Sequence, residues 1–161
     1  MTLNITGGID SSTYTAVSEF LAEAGGKPVT IRINSGGGEH LDSLAIYSLI
    51  RLYPGKVTTQ AFGCCYSAAV LIFAAGDARE APVETHFMVH EDSGKVSGST
   101  SELRTEVLHM VNLEYQWSQL MELRSLTSSS DWDLKSKATT YFDTTDAYDM
   151  GLVTKILKGK K

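Results

Sequence analysis

From Ser67 to Ala75 the chain reads Ser-Ala-Ala-Val-Leu-Ile-Phe-Ala-Ala, and only the first of these side chains is polar. A helix of that composition is apolar all round, so other elements must enclose it on every side. What comes before it narrows the options further. Val57 to Phe62 has strand character, Gly63 begins a tight turn, and Gly76 closes the apolar run. A strand that passes through a short turn into a fully buried helix belongs to a layered α/β arrangement.

The rest of the chain repeats that alternation. Leu3–Thr6 reads as a short strand closed by Gly7-Gly8. Ser11 or Ser12 can cap a helix that carries Val17, Phe20, Leu21 and Ala24 on one face and stops at Gly25-Gly26. Val29–Ile33 is a β-branched strand. A helix with Leu41, Leu44, Ala45, Leu49 and Leu52 at helical spacing follows and ends at Pro54-Gly55. Phe87-Met88-Val89 is a further strand running into His90. Glu91–Ser99, rich in Gly and Ser, reads as a mobile loop. Ser99-Thr100-Ser101-Glu102 is a capping box that opens a long helix reaching about Leu126. A short helix around Trp132 and Leu134, a small one near Ala147 and a strand over Leu152–Ile156 complete the reading. Repeated strand–helix–strand units predict a parallel-rich sheet with right-handed crossovers.

Length and composition exclude several classes. With 161 residues, 42% hydrophobic and 20% charged, the chain has the size of one domain with a core of its own. The net charge is -5, and the only basic run is the tail Lys158-Gly159-Lys160-Lys161, which reads as a solvated terminus, so nucleic acid finds no footprint. No stretch reaches the ~18 apolar residues of a membrane span, and the first residues lack the charged and apolar regions of a signal peptide. Cys64 and Cys65 are adjacent and are the only cysteines; no disulfide within the chain is expected, which points to a reducing, cytoplasmic setting. They read as small packing residues. No His-x-x-x-His or Cys-x-x-Cys spacing suggests zinc, and neither metal nor cofactor is expected.

Two glycine-containing turns can carry chemistry. Ser35-Gly36-Gly37-Gly38 lies between a strand and a helix, and it reads as a flexible loop, as a phosphate cradle lacking the usual Lys-Ser or Lys-Thr, or as an amide donor to an oxyanion. Gly63-Cys64-Cys65-Tyr66-Ser67 brings a serine to a helix start, where unpaired N–H groups gather. Ser67 is there either a helix cap or an exposed nucleophile. Ala69 replaces the second glycine of a Gly-x-Ser-x-Gly elbow. Of four histidines, His40 and His109 read as surface residues on helices. His86 points away from the face of Phe87, and His90 ends a strand, where a side chain can project into a site.

Taken in order, these segments resemble the proteolytic subunit of the Clp protease. Ile33-Asn34-Ser35-Gly36-Gly37-Gly38 followed by Leu44-Ala45-Ile46-Tyr47 resembles that family's Ile-Asn-Ser-Pro-Gly-Gly region. Val57–Gly76 resembles its nucleophile segment and Phe87-Met88-Val89-His90 the strand that ends in its histidine. Tyr141–Ile156, with Ala147 and Gly151-Leu152-Val153, resembles its C-terminal segment. The phage-type prohead-protease branch looks closest, given the short N-terminus and Ala75-Gly76-Asp77. The resemblance implies a ββα spiral of the Clp/crotonase type with a handle helix at about 101–126, a homo-oligomeric ring, and Trp117, Met110 and Met121 as residues that either meet a neighbour or pack at home. It implies Ser67 as nucleophile, His90 as general base, and the amides of Gly38 and Ala68 as the oxyanion hole of a serine endopeptidase acting on peptide or protein substrates without cofactor.

The match departs from the family at several points. Counting back from Gly151-Leu152-Val153 puts Lys135 where the family's aspartate is expected, with Asp131 and Asp133 nearby. Three readings follow: a shifted acid such as Asp133, a Ser67–His90 dyad whose imidazole is held by water or a backbone carbonyl, or a silent homologue. Gly36 replaces proline, and Tyr66 is expected to reshape the pocket beside Ser67. The chain starts at the family's first core strand, which puts partnership with a Clp ATPase ring in question. Two other functions stay open: a non-catalytic scaffold or regulatory subunit of a ring, and a crotonase-like acyl-CoA enzyme.

Overall fold

The structure, a computed structural model, describes residues 1–159; Lys160 and Lys161 of the basic tail lie outside the described residues. The elements are β1 (Thr2–Ile9), α1 (Ser11–Ala24), β2 (Val29–Gly38), α2 (His40–Leu52), β3 (Val57–Tyr66), α3 (Ala68–Ala74), β4 (Ala78–Pro82), β5 (His86–Val89), α4 (Thr100–Glu122), α5 (Ser129–Lys137), β6 (Thr140–Asp143), α6 (Thr144–Asp149) and β7 (Lys155–Leu157). Strands run in the order β1-β2-β3-β4-β7, all parallel, as the strand–helix alternation predicts.

β3 divides its partners. Its first half, Thr58–Gln60, pairs with β4, and its second half, Cys64–Tyr66, pairs with β5. The change happens around Gly63, where φ is +67 and a side chain would press on Asn34. The register to β2 slips at the same place: Ile33 faces Ala61, and Ser35 faces Cys65. Gly63 therefore bends a continuous strand rather than starting a turn. The bend swings Cys64–Tyr66 away from the β4 side and creates the slot that β5 fills. β6 closes that edge as an antiparallel strand on β5. Neither β4 nor β6 is apparent in the sequence. Both are short, and β6 mixes polar and aromatic residues with no run of alternation.

Each residue of α3 is buried, as its composition requires. Its C-terminal carbonyls need donors, and three arginines supply them. Arg124 reaches the carbonyls of Ala74 and Gly76, Arg51 that of Ala75, and Arg79 that of Gly76. Cations at a helix C-terminus are stabilised by the carbonyl dipoles. Burial, with Arg124 and Arg51 close by, lowers the pKa of Arg79 to about 10. Asp77 balances the group by accepting from Arg51 and from the Val57 amide. Burial pushes the Asp77 carboxyl up, but those two hydrogen bonds and the nearby arginines outweigh it and leave it below the usual range.

A run of aromatic contacts joins α3 to the C-terminal helices. Phe73 meets Phe87, Phe87 stacks on Phe142, Phe142 meets Trp132, and Trp132 meets Trp117 edge-on, with centroids 5.4 to 6.2 Å apart. Trp132 is fully buried, and its indole N–H donates to Ser125 Oγ at 2.9 Å. The run fixes β5, and so the histidine at its end, between the serine-bearing helix and α4–α5.

Several local expectations change. Asp10, not Ser11 or Ser12, caps α1, in a capping box with Thr13. Gly36–Gly38 continues β2 instead of forming a free loop, because β1 pairs with it as far as Gly38. α2 buries Ser43, Ile46, Tyr47 and Ile50, and leaves Leu41 59% and Leu52 83% exposed. That helix is apolar on two sides, so spacing alone does not choose the inward one. α4 opens with the expected Ser99–Glu102 capping box but stops at Glu122, with Leu126 exposed beyond it. Trp117 and Met121 pack into the chain's own core, and the exposed apolar side chains of α4 are Val107, Leu108, Val111 and Tyr115. The last strand is Lys155–Leu157; Leu152 and Val153 are buried ahead of it, both amides donating to the Ala147 carbonyl.

Candidate active site

Ser67 sits between β3 and α3 with φ 53 and ψ -125. That conformation is rare for a residue with a side chain and costs about 1–3 kcal/mol. It turns the chain sharply from strand to helix. The Ser67 amide donates to the Met88 carbonyl of β5 at 2.7 Å, and its carbonyl accepts from the Val70 amide at 2.9 Å. Its hydroxyl bonds none of the first-turn amides, which removes the helix-cap reading. A side chain held in a strained turn without a capping bond is available for something else.

The glycines of β2 pack against this turn. At Gly37, φ is +99, and a Cβ would lie 2.7 Å from the Ser67 Cβ and 2.8 Å from the Tyr66 carbonyl oxygen. Only glycine lets the two backbones come this close. Ser35 Oγ donates to the Gly7 carbonyl and accepts from the Gly37 amide, so that amide is committed. The Ile9 carbonyl takes the amide of Glu39 at 2.8 Å. Alternation along a strand then turns the Gly38 amide to the other side, away from β1.

His90 follows β5 directly. Its Nδ1 lies 2.5 Å from the Glu91 carbonyl oxygen. A carbonyl only accepts, so Nδ1 carries the proton and the neutral ring keeps its lone pair on Nε2. Glu91 is itself anchored, its amide donating to the Ser136 carbonyl at the end of α5 at 3.1 Å.

Gly38, Ser67, Ala68 and His90 all line one small cavity, together with His40, Ser43, Val89, Asp92, Glu114, Trp117 and Ser136. The four residues singled out in the sequence are thus brought together. The Ser67 hydroxyl and His90 are not hydrogen-bonded to each other, and catalytic contacts of this kind commonly tighten only in the complex with substrate.

The acid is another matter. Asp133 pairs with Lys137 at 2.8 Å, Asp131 accepts from Ser128 Oγ at the start of α5, and Lys135 lies beside Leu126 and Met150. None of the three lines the Ser67 cavity. Tyr66 does not line it either; its ring packs edge-on against Tyr141. His40, which reads as a surface residue in the sequence, is half-buried in the cavity wall and paired through Nδ1 with Asp92. Its position two residues after Gly38, with Asp92 two residues after His90, was the available signal. His86 and His109 are exposed, Cys65 is fully buried, and Cys64 sits against Asn34. Among the described residues no group of three or more His, Cys, Asp or Glu side chains is placed to hold a metal. No helix among them is long and apolar enough to cross a membrane.

A largely parallel sheet with a serine at a strained strand-to-helix turn defines an α/β protein built around that turn. Comparison with known proteins makes the assignment definite. The model of the Clp protease family matches residues 2–160, and the chain belongs to that family. Curated relatives include the ATP-dependent Clp protease proteolytic subunit 2 of Treponema denticola, 26% identical over 84% of this chain and 68% of the relative. The protein of the same name from Pseudomonas aeruginosa is 25% identical over 98% of this chain and 81% of the relative. Among solved structures, a point mutant of ClpP1 from Listeria monocytogenes superposes with a TM-score of 0.89 at 22% identity, covering 99% of this chain and 92% of that one. The ClpP-type fold expected from the sequence is therefore present.

Proposed function

We propose that the chain is a serine endopeptidase working through a Ser67–His90 dyad. The observation that carries this is the uncapped, strained Ser67 in one cavity with His90, whose Nδ1 is held by the Glu91 carbonyl. His90 Nε2 takes the proton as Ser67 Oγ attacks the scissile carbonyl, and later gives it to the leaving amine. The amides of Gly38 and Ala68 receive the oxyanion; the latter belongs to the first helical turn, whose N–H groups have no intrahelical acceptor. An acyl-enzyme forms and water hydrolyses it. The Glu91 carbonyl replaces the acid as a neutral orienter: it sets the tautomer but adds no charge to stabilise the imidazolium. A slower enzyme than a full triad is expected for that reason.

The decisive experiment is labelling by a fluorophosphonate probe, which requires an activated serine and no particular peptide. Labelling of the wild type that disappears on Ser67→Ala supports the peptidase. An unlabelled wild type favours the scaffold reading, for which the unmade Ser67–His90 bond is the supporting observation.

Asp133→Asn and Asp131→Asn separate the dyad from a shifted triad. Both acids serve α5 locally. Each variant should keep kcat/KM within about 3-fold of wild type, whereas loss of a triad aspartate costs ~10⁴-fold in kcat. A drop of that size in either variant would return the acid to the mechanism.

We also propose a homo-oligomeric ring. The outer side of α2, with Leu41 and Leu52, and the α4 stripe of Val107, Leu108, Val111 and Tyr115 leave more apolar surface uncovered than scattered single residues would. Sedimentation should show an oligomer at micromolar concentration, and a monomer there would refute it.

A further inference from the structure

Resting on the peptidase reading, we infer that the cavity beside Ser67 selects a basic side chain, lysine or arginine, on the acyl side of the bond to be cut. Its wall is built from acceptors. Asp92 holds His40 Nδ1 at 2.7 Å, and its amide donates to Glu114 Oε1 at 3.0 Å. Both carboxylates line the cavity with the imidazole between the Gly38 turn and α4. With His90 neutral as the base, two carboxylates face one imidazole. The wall is therefore negative whether or not His40 carries a proton. Lys137, the cation near Glu114 outside the cavity, is held by Asp133 at 2.8 Å and does not line it.

His40 adds direction to that charge. Asp92 can only accept from Nδ1, so the neutral ring presents a lone pair at Nε2, and that atom is buried with no hydrogen-bond partner. A buried acceptor left unpaired costs free energy until a donor reaches it. A lysine ammonium or arginine guanidinium brings several donors and the opposite charge. Trp117 lines the same cavity and adds apolar surface for the methylene stem of such a side chain. The Ser43 hydroxyl is already spent on the His40 carbonyl at 2.7 Å, so it does not compete as a donor. An acidic substrate side chain would meet like charge here, and an apolar one would strip water from two carboxylates without replacing it.

The test uses the full chain and a set of peptide substrates identical except for Arg, Lys, Leu, Phe or Glu before a fluorogenic leaving group. The expected kcat/KM for Arg and Lys exceeds that for Leu, Phe and Glu by at least ~10-fold, as for pockets that pair a polar group. Glu114→Gln keeps an acceptor for the Asp92 amide but removes the charge, and should bring the Arg-to-Leu ratio down ~10-fold, with His40→Leu acting in the same direction. Fluorophosphonate labelling reads Ser67 independently of the pocket. A labelled protein that prefers Leu or Phe overturns the selectivity inference and leaves the peptidase intact. If the wild type does not label, the pocket is read without chemistry by titrating benzamidine into Ser67→Ala and following the His40 and Trp117 resonances. Binding weakened by Glu114→Gln supports the inference, and no binding overturns it.

Discussion

Ser67→Ala should abolish fluorophosphonate labelling and lower kcat for peptide hydrolysis by up to ~10⁶-fold, the cost of removing the nucleophile of a serine peptidase. The fold should survive, because the Ser67 hydroxyl makes no hydrogen bond that alanine would lose. Ser67→Gly is the more instructive partner. Glycine adopts φ 53 and ψ -125 without steric penalty, so it releases the strain stored at the turn. Part of that release is offset by the extra freedom glycine has when unfolded. The net gain should be about 1 kcal/mol, a rise of ~2–4 °C in Tm for a chain of this length. An inactive variant that melts higher than the active protein would show that the turn is held for its chemistry. Equal or lower melting of Ser67→Gly would show that the turn is unstrained, and the argument from strain to function would fail.

Gly38→Ala should be the most damaging single methyl group in the site. Its Cβ would lie 2.2 Å from the Ile9 carbonyl oxygen and 2.5 Å from the Ile9 nitrogen, both backbone atoms of β1, at a φ of +156. No side-chain rotation relieves such a contact; β1 and β2 must separate. A loss of about 4 kcal/mol or more in urea unfolding is expected, in the range reserved for named structural failures. Gly36→Ala is the control within the same tripeptide. Nothing lies within 4 Å of its added Cβ, and no left-handed φ is required there. It should stay within about 0.5 kcal/mol of wild type. Labelling of Ser67 should fall in Gly38→Ala well before the protein unfolds, since the same shift moves a proposed oxyanion donor, worth ~2.7–4 kcal/mol of transition-state stabilisation. Equal stabilities of the two variants would mean that β1 does not grip Gly38.

The family and the general fold could be read in the sequence because they rest on local signals that tertiary structure has little freedom to overrule. An all-apolar α3 has no option but burial. Gly25 at φ 56 ends α1 where a glycine pair announces an end. The Ser99–Glu102 box starts α4 because both bonds of the box are made within four residues. The signals failed where a choice between two faces or two partners was needed. α2 carries apolar residues on both sides, and only packing against α1 and α3 decides that Ile46 and Ile50 go inward. β4 and β6 are short strands whose existence depends on an edge created elsewhere, by the bend at Gly63.

The same division runs through the site. By itself the sequence determined the order of the segments that hold Gly38, Ser67 and His90, and those segments together, matched along nearly the whole chain, carried the resemblance to the Clp protease family. It left Ser67 undecided between a cap and a nucleophile, and the acid undecided among Lys135, Asp133 and Asp131. Those questions concern distances between segments far apart in the chain, and no local pattern encodes them. The tertiary structure supplied three facts: Ser67 caps nothing, the three α5 candidates face elsewhere, and the His90 ring is held by the carbonyl of the next residue. It also moved His40 from an imagined surface into the cavity wall, paired with Asp92. A helix start exposes its side chain to whatever the neighbouring strand brings, and only the folded sheet, bent at Gly63, brings the end of β5 there.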